Sequence, residues 1–195
     1  MNEPSRRMSD ATSSITKPIV LVGLMGAGKT CIGRRLAKRL RMSFVDADEE
    51  IVKVAGAPVA EIFHRYGESA FRESERRVIA RLLNGPTQVL ATGGGAFVDA
   101  ATRELIKQRG ISIWLRADLD LLDKRTRGRG GRPLLQTDDL RATLAALMMA
   151  RHPIYAQADI VIDSRDEAPE KTTNHVLEAV RAYQSRSAAK AEAGT

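Results

Sequence analysis

Three stretches of this 195-residue chain carry residue types whose spacing could do chemistry. The first is Gly23-Leu24-Met25-Gly26-Ala27-Gly28-Lys29-Thr30, the pattern G-x-x-x-x-G-K-[ST]. Glycines let successive N–H groups turn inward around phosphate oxygens, and a helix that starts there adds its positive end. Read this way, Gly26, Ala27, Gly28, Lys29, Thr30 and Cys31 cradle a nucleoside triphosphate. Lys29 then reaches the β- and γ-phosphates and the Thr30 hydroxyl ligates Mg²⁺. The alternative is a Gly-rich strand–helix turn with no ligand. The motif is silent on what receives the phosphoryl group.

The second stretch is Asp46-Ala47-Asp48. Phosphoryl transfer needs a further metal anchor and a partner for the acceptor hydroxyl. The strand that would ordinarily end in a metal-binding Asp reads "QVLATGGG" and has none. Residues two apart in an extended segment point the same way, so Asp46 and Asp48 can both face one sheet edge. One carboxylate can then hold a metal-bound water while the other accepts a proton. In the competing reading, Asp48 is the N-cap of the helix that opens with Glu49 and Glu50.

The third stretch is Thr92-Gly93-Gly94-Gly95. Three consecutive glycines cost conformational entropy, so something must come close to this backbone. A ligand is one answer; a tight turn with positive φ at one or more of the three is another. Arginines complete the set. Arg72 has Glu75 at a helical pair spacing, and Arg151 opens "RHPIY". Arg125, Arg127, Arg129 and Arg132 fall in the Gly- and Arg-rich "KRTRGRGGRPLL". That segment reads as a mobile lid over about 127–137 whose arginines close on phosphates and expel water. An exposed basic loop, or an arginine-rich nucleic-acid segment, is the alternative.

Strands and helices alternate to carry these stretches. "PIVLVG", "SFVDAD", "QVLATG", "ISIWL" and "DIVID" read as strands. Helical patterns fall at 49–55, 58–65, 69–83, 100–108, 118–126, 138–150 and 168–185, and "KTCIGRRLAKRL" places Ile32, Leu36 and Leu40 at helical spacing. Five strands with helical crossovers predict a parallel sheet covered on both faces, an α/β domain. Residues 17–186 form the single domain. Residues 1–16 read as a disordered tail, with an organelle transit peptide as the alternative, and 187–195 as a second tail.

Composition bounds the function. Hydrophobic residues at 43% and charged residues at 28% suit a globular protein. No apolar run approaches a membrane span. A single cysteine, Cys31, rules out an internal disulfide and fits a reducing, cytoplasmic setting. The net charge of +7 favours anionic partners, nucleic acid or small phosphorylated and carboxylated ligands. Aromatic residues at 4% argue against a base-stacking surface.

Taken together and in order, "GLMGAGKT", "VDAD", "AEIFHRYGESAFRESE", "TGGGA", "RPLL", "RHPIY" and a late "VID" followed by Pro169 resemble shikimate kinase, from about Pro18 to Val180. The resemblance implies the P-loop kinase fold of the nucleoside monophosphate kinases, with sheet order 2-3-1-4-5 and a lid. It implies transfer of the γ-phosphoryl group of ATP to the 3-hydroxyl of shikimate. Carried over by position, Asp48 binds shikimate hydroxyls beside the attacking one, and Arg72 and Arg151 bind its carboxylate. Gly94, flanked by Gly93 and Gly95, offers a backbone contact to the ring. Lys29 and Arg132 bind the transferring phosphate, making Lys29, Asp48 and Arg132 the catalytic set. Thr30 and Asp46 hold Mg²⁺, and Arg125 and Pro169 sandwich the adenine. The expected partners are ATP and shikimate, with neither nucleic acid nor membrane, for a monomer. Gluconate kinases and nucleoside monophosphate kinases share the P-loop and sheet. A nucleic-acid-dependent ATPase and an acceptor-free ATP-binding module are the readings from other classes.

Overall fold

The computed structural model describes residues 15–127, 137 and 139–193. Arg129, Arg132 and nearly all of the expected lid lie outside the described residues.

Five parallel strands form one sheet: β1 (Ile19–Val22), β2 (Ser43–Asp46), β3 (Gln88–Ala91), β4 (Ile111–Arg116) and β5 (Ile160–Asp163). Their order is β2-β3-β1-β4-β5, as the resemblance implies. β1 and β3 are buried at every position, the mark of strands covered on both faces. The helices are α1 (Lys29–Leu40), α2 (Ala47–Ala55), α3 (Val59–Leu83), α4 (Ala100–Arg109), α5 (Leu119–Thr126), α6 (Leu140–Tyr155) and α7 (Pro169–Ala193). α3 is two helical runs joined at Gly67, which breaks the helix at φ 78° and ψ 171°. The separate patterns at 58–65 and 69–83 are therefore both present. α7 runs to Ala193, so the expected tail from 187 is helical through that residue. At the other end Ile15 already packs on the core.

Two features of the fold position the site. Register aligns Leu21 and Asp46 with Ala91, so β1, β2 and β3 end level at their carboxyl edge. The next residue, Thr92, ties β3 to β1 by donating both N–H and Oγ1 to the Leu21 carbonyl, at 3.2 and 3.0 Å. The loop after β1, Asp46 at the end of β2 with Asp48 just beyond it, and the glycines after β3 thus leave the sheet side by side. Ligands in open α/β sheets bind at this edge. The second feature is a small apolar cluster, Ile51, Ile62, Phe71 and Val78, apart from the main core. It locks α2 to α3 and makes a rigid shelf beside the glycines.

Candidate active site

The loop after β1 wraps the start of α1. Gly28 caps α1 in a left-handed conformation, φ 100°, which a side chain would strain, and the first turn of the helix contains no acidic residue. The positive helix end is left for an anion. Lys29 is only 8% exposed, and its Nζ donates to the carbonyls of Gly23 at 2.8 Å and Leu24 at 3.0 Å. Ala27 faces the core at 1% exposure, and its N–H is spent on the Leu24 carbonyl. Its side chain packs behind the loop, and the wall of the cavity beside it is formed by Gly26 and Gly28.

That cavity measures about 520 Å³ and is walled by Gly26, Gly28, Lys29, Thr30, Cys31, Asp46, Asp48, Arg125 and Pro169, among others. Thr30 Oγ1 donates to Asp46 Oδ2 at 2.8 Å. Asp46 Oδ1 accepts from the Asp48 N–H at 3.1 Å. The cap of α2 is therefore Asp46, and Asp48 sits in the first turn of that helix. The extended-segment argument for the pair does not apply here, because the strand ends at Asp46. Both carboxylates still reach one wall, since a helix begins where the strand stops. Arg125 closes the far end. Its Nη1 donates to Ser164 Oγ at 3.0 Å and its Nη2 to the Arg165 carbonyl at 2.9 Å, which holds the guanidinium near Pro169 at the start of α7. Cys31 is exposed, with its Sγ 3.1 Å from Arg35 Nη1.

A smaller hollow adjoins the shelf, lined by Asp48, Arg72, Glu75, Gly93, Gly94, Gly95 and Arg151, with Val59, Phe63 and Phe71 on its apolar side. A Cβ on Gly95 would lie 2.5 Å from the Arg72 Cζ. One on Gly93 would lie 2.7 Å from Asp48 Oδ1 and 2.8 Å from Glu75 Oε1. Charged side chains of the protein itself thus account for Gly93 and Gly95. At Gly94 a Cβ would meet its nearest atom, Arg151 Nη1, at an ordinary 3.6 Å. The chain does turn here, with the Ala96 N–H donating to the Gly93 carbonyl at 3.2 Å, but none of the three has positive φ, so the turn does not require glycine on that ground.

Arg72 is clamped from both sides. Its Nη1 donates to Glu75 Oε2 at 2.8 Å and its Nη2 to Glu68 Oε1 at 3.0 Å. Its guanidinium lies 5.3 Å from the Phe71 ring centre and 5.9 Å from that of Phe63. Burial disfavours its charge, yet Glu75 and Glu68 outweigh that and raise its pKa. Glu75 is only 2% exposed, and its Oε1 has no hydrogen-bond partner among the described residues. Burial pushes its carboxyl above the ordinary value against the pull of Arg72, and Asp48 and Asp99 add to the rise. Sequence spacing shows the Arg72–Glu75 pair but not the burial of Glu75, which depends on α3 lying against the glycines.

The family model for shikimate kinase matches residues 25–181. The chain belongs to the shikimate kinase family. A shikimate kinase from Paramagnetospirillum magneticum is 60% identical over 169 residues, 87% of each chain. One from Bradyrhizobium diazoefficiens is 52% identical over 86% of this chain and 81% of its own. Among solved structures, the shikimate kinase from Acinetobacter baumannii in complex with shikimate superposes with TM-score 0.84 at 38% identity, covering 87% of this chain and 95% of that one. A gluconokinase from Sinorhizobium meliloti, 16% identical with TM-score 0.61 over 87% of this chain and 95% of its own, shares the fold alone. The shikimate kinase family therefore prevails over the gluconate kinase and nucleoside monophosphate kinase alternatives.

Proposed function

We propose that ATP fills the larger cavity and shikimate the smaller hollow, and that the two meet at Asp48. The reaction moves the γ-phosphoryl group of ATP to the 3-hydroxyl of shikimate and yields shikimate 3-phosphate and ADP, a step of aromatic amino-acid synthesis. The observation that carries the arrangement is that Asp48 lines both spaces.

The loop N–H groups and the start of α1 bind the phosphates, and Lys29 adds charge where it develops during transfer. Arg125 and Pro169 flank the adenine. Arg72 and Arg151 take the shikimate carboxylate, with Arg72 held in place beforehand by Glu75 and Glu68. Asp48 accepts the hydrogen bond of the attacking hydroxyl and orients it toward the phosphate. The backbone of Gly94 lies against the ring.

Mg²⁺ fits the donors present. Thr30 and Asp46 bring one hydroxyl and one carboxylate together at the cavity wall. Among the described residues no group of three or more His, Cys, Asp or Glu forms a cage of its own. That is the pattern of a metal held largely through phosphates and water. When bound, Mg²⁺ neutralises charge on the β- and γ-phosphates.

The reading includes a cytoplasmic monomer without nucleic-acid or membrane partners. Among the described residues no helix is long and apolar enough to cross a membrane. The test is ADP release from ATP–Mg²⁺ by the full chain, with and without shikimate. Release should depend on shikimate and be indifferent to polynucleotide. Release that ignores shikimate overturns the reading.

A further inference from the structure

The motif "RHPIY" supplies Arg151 to the acceptor hollow, but its last residue has no role in the reaction as described above. Tyr155 ends α6 and is fully buried, with ring centres 5.9 Å from Trp114 and 6.5 Å from Phe97. A phenylalanine would fill that place equally well. What tyrosine adds is the hydroxyl, and the hydroxyl donates to the Gly94 carbonyl. Arg151, one helical turn earlier, donates Nη1 to the same oxygen at 3.2 Å.

One donor already satisfies this part-buried carbonyl, so the second is not needed to offset burial. Two donors occupy both lone pairs and fix the direction of the C=O bond. The Gly94 carbonyl shares a planar, trans peptide unit with the Gly95 N–H, so fixing one fixes the other. A glycine on either side gives this peptide no side chain to hold it. The same carbonyl tethers the Arg151 guanidinium by one of its N–H groups, which limits where the others point.

We propose that Tyr155 is a positioning residue for the acceptor: its hydroxyl holds the Gly94 carbonyl, and through it sets both the glycine backbone and Arg151 for shikimate. Burial drives the Tyr155 hydroxyl up to about 12 despite the Arg151 charge beside it, so it stays protonated and remains a donor across the working pH range. The proposal rests on the reading of Arg151 as a shikimate ligand.

The experiment compares Tyr155→Phe, Arg151→Ala and the double variant in the full chain, reading KM for shikimate and KM for ATP separately. Loss of one hydrogen bond should raise the shikimate KM about fivefold to tenfold in Tyr155→Phe and leave the ATP KM within about twofold. Arg151→Ala should raise the shikimate KM further. Adding Tyr155→Phe to it should then raise it by clearly less than in the parent, since the two act on one oxygen. If Tyr155→Phe leaves both constants unchanged, or raises both alike, the hydroxyl is structural and the proposal fails while the Arg151 reading stands. If Arg151→Ala does not weaken shikimate, that reading fails and takes the proposal with it.

Discussion

Thr30 and Asp46 are joined by a 2.8 Å hydrogen bond between the hydroxyl of one and the carboxylate of the other, and the same carboxylate caps α2 through the Asp48 N–H. One side chain therefore ties the phosphate-loop helix, the end of β2 and the start of α2 together. Asp46→Asn keeps a good cap but loses the charge, so thermal stability should hold while the Mg²⁺ concentration for half-maximal rate rises. Asp46→Ala should show the same Mg²⁺ shift and in addition lose about 1 kcal/mol of stability. Mg²⁺ titration of the rate together with denaturant melts separates the two roles. An Asp46→Asn protein with unchanged Mg²⁺ dependence removes Asp46 from the metal.

Asp48 is not the cap, so its substitution should not carry the roughly 1 kcal/mol loss of a removed cap. Asp48→Asn should cut turnover by roughly 10²-fold or more, the scale of a lost base or orienting group, with little change in ATP affinity. Single-turnover kinetics and ATP calorimetry check both halves. A loss confined to melting temperature would contradict the role given to Asp48.

Lys29 is bound into its loop, so Lys29→Ala should act on fold and chemistry together. Turnover should fall by about 10²-fold or more. Two loop carbonyls lose a charged donor, and stability should drop by about 1–3 kcal/mol. A stable Lys29→Ala enzyme within about threefold of parental turnover would sink the phosphate-loop assignment.

Arg72 offers a planar guanidinium that lysine cannot copy. Arg72→Lys and Arg151→Lys should each weaken shikimate about tenfold or more yet barely change binding of shikimate methyl ester. Calorimetry of both ligands against each variant, with ATP as control, reads this directly. Equal losses for acid and ester would show that the arginine does not read the carboxylate.

Glu75 gives a pH dependence of definite sign. Its carboxyl is raised above 4.5 in the folded protein, chiefly by burial. Between the unfolded and folded values the folded state binds more protons, so stability is fullest below the unfolded value and declines as pH climbs through the folded one. Glu75→Gln should flatten that decline. Melting curves from pH 4 upward should show the variant's deficit shrinking, or turning to a gain, as pH rises. A constant offset between parent and variant would place no titration at Glu75.

The sequence alone determined what depends on local pattern. Apolar runs and helical spacing fixed five strands and their helices, and G-x-x-x-x-G-K-T fixed a phosphate loop, because backbone geometry there follows from a few adjacent residue types. Arg72 and Glu75 were legible as a pair, since three residues apart is a fixed offset on any helix. What the tertiary structure decided are relations between distant segments. The crowding at Gly93 comes from α2 and α3, at Gly95 from α3, and the grip on Gly94 from α6, some 60 residues away. Ala27 turned out to face the core, and Lys29 to be buried. The break between β2 and α2 made Asp46 rather than Asp48 the cap. Burial and convergence are properties of packed faces, and a single chain of letters carries no record of which face meets which until the sheet has assembled and brought them together.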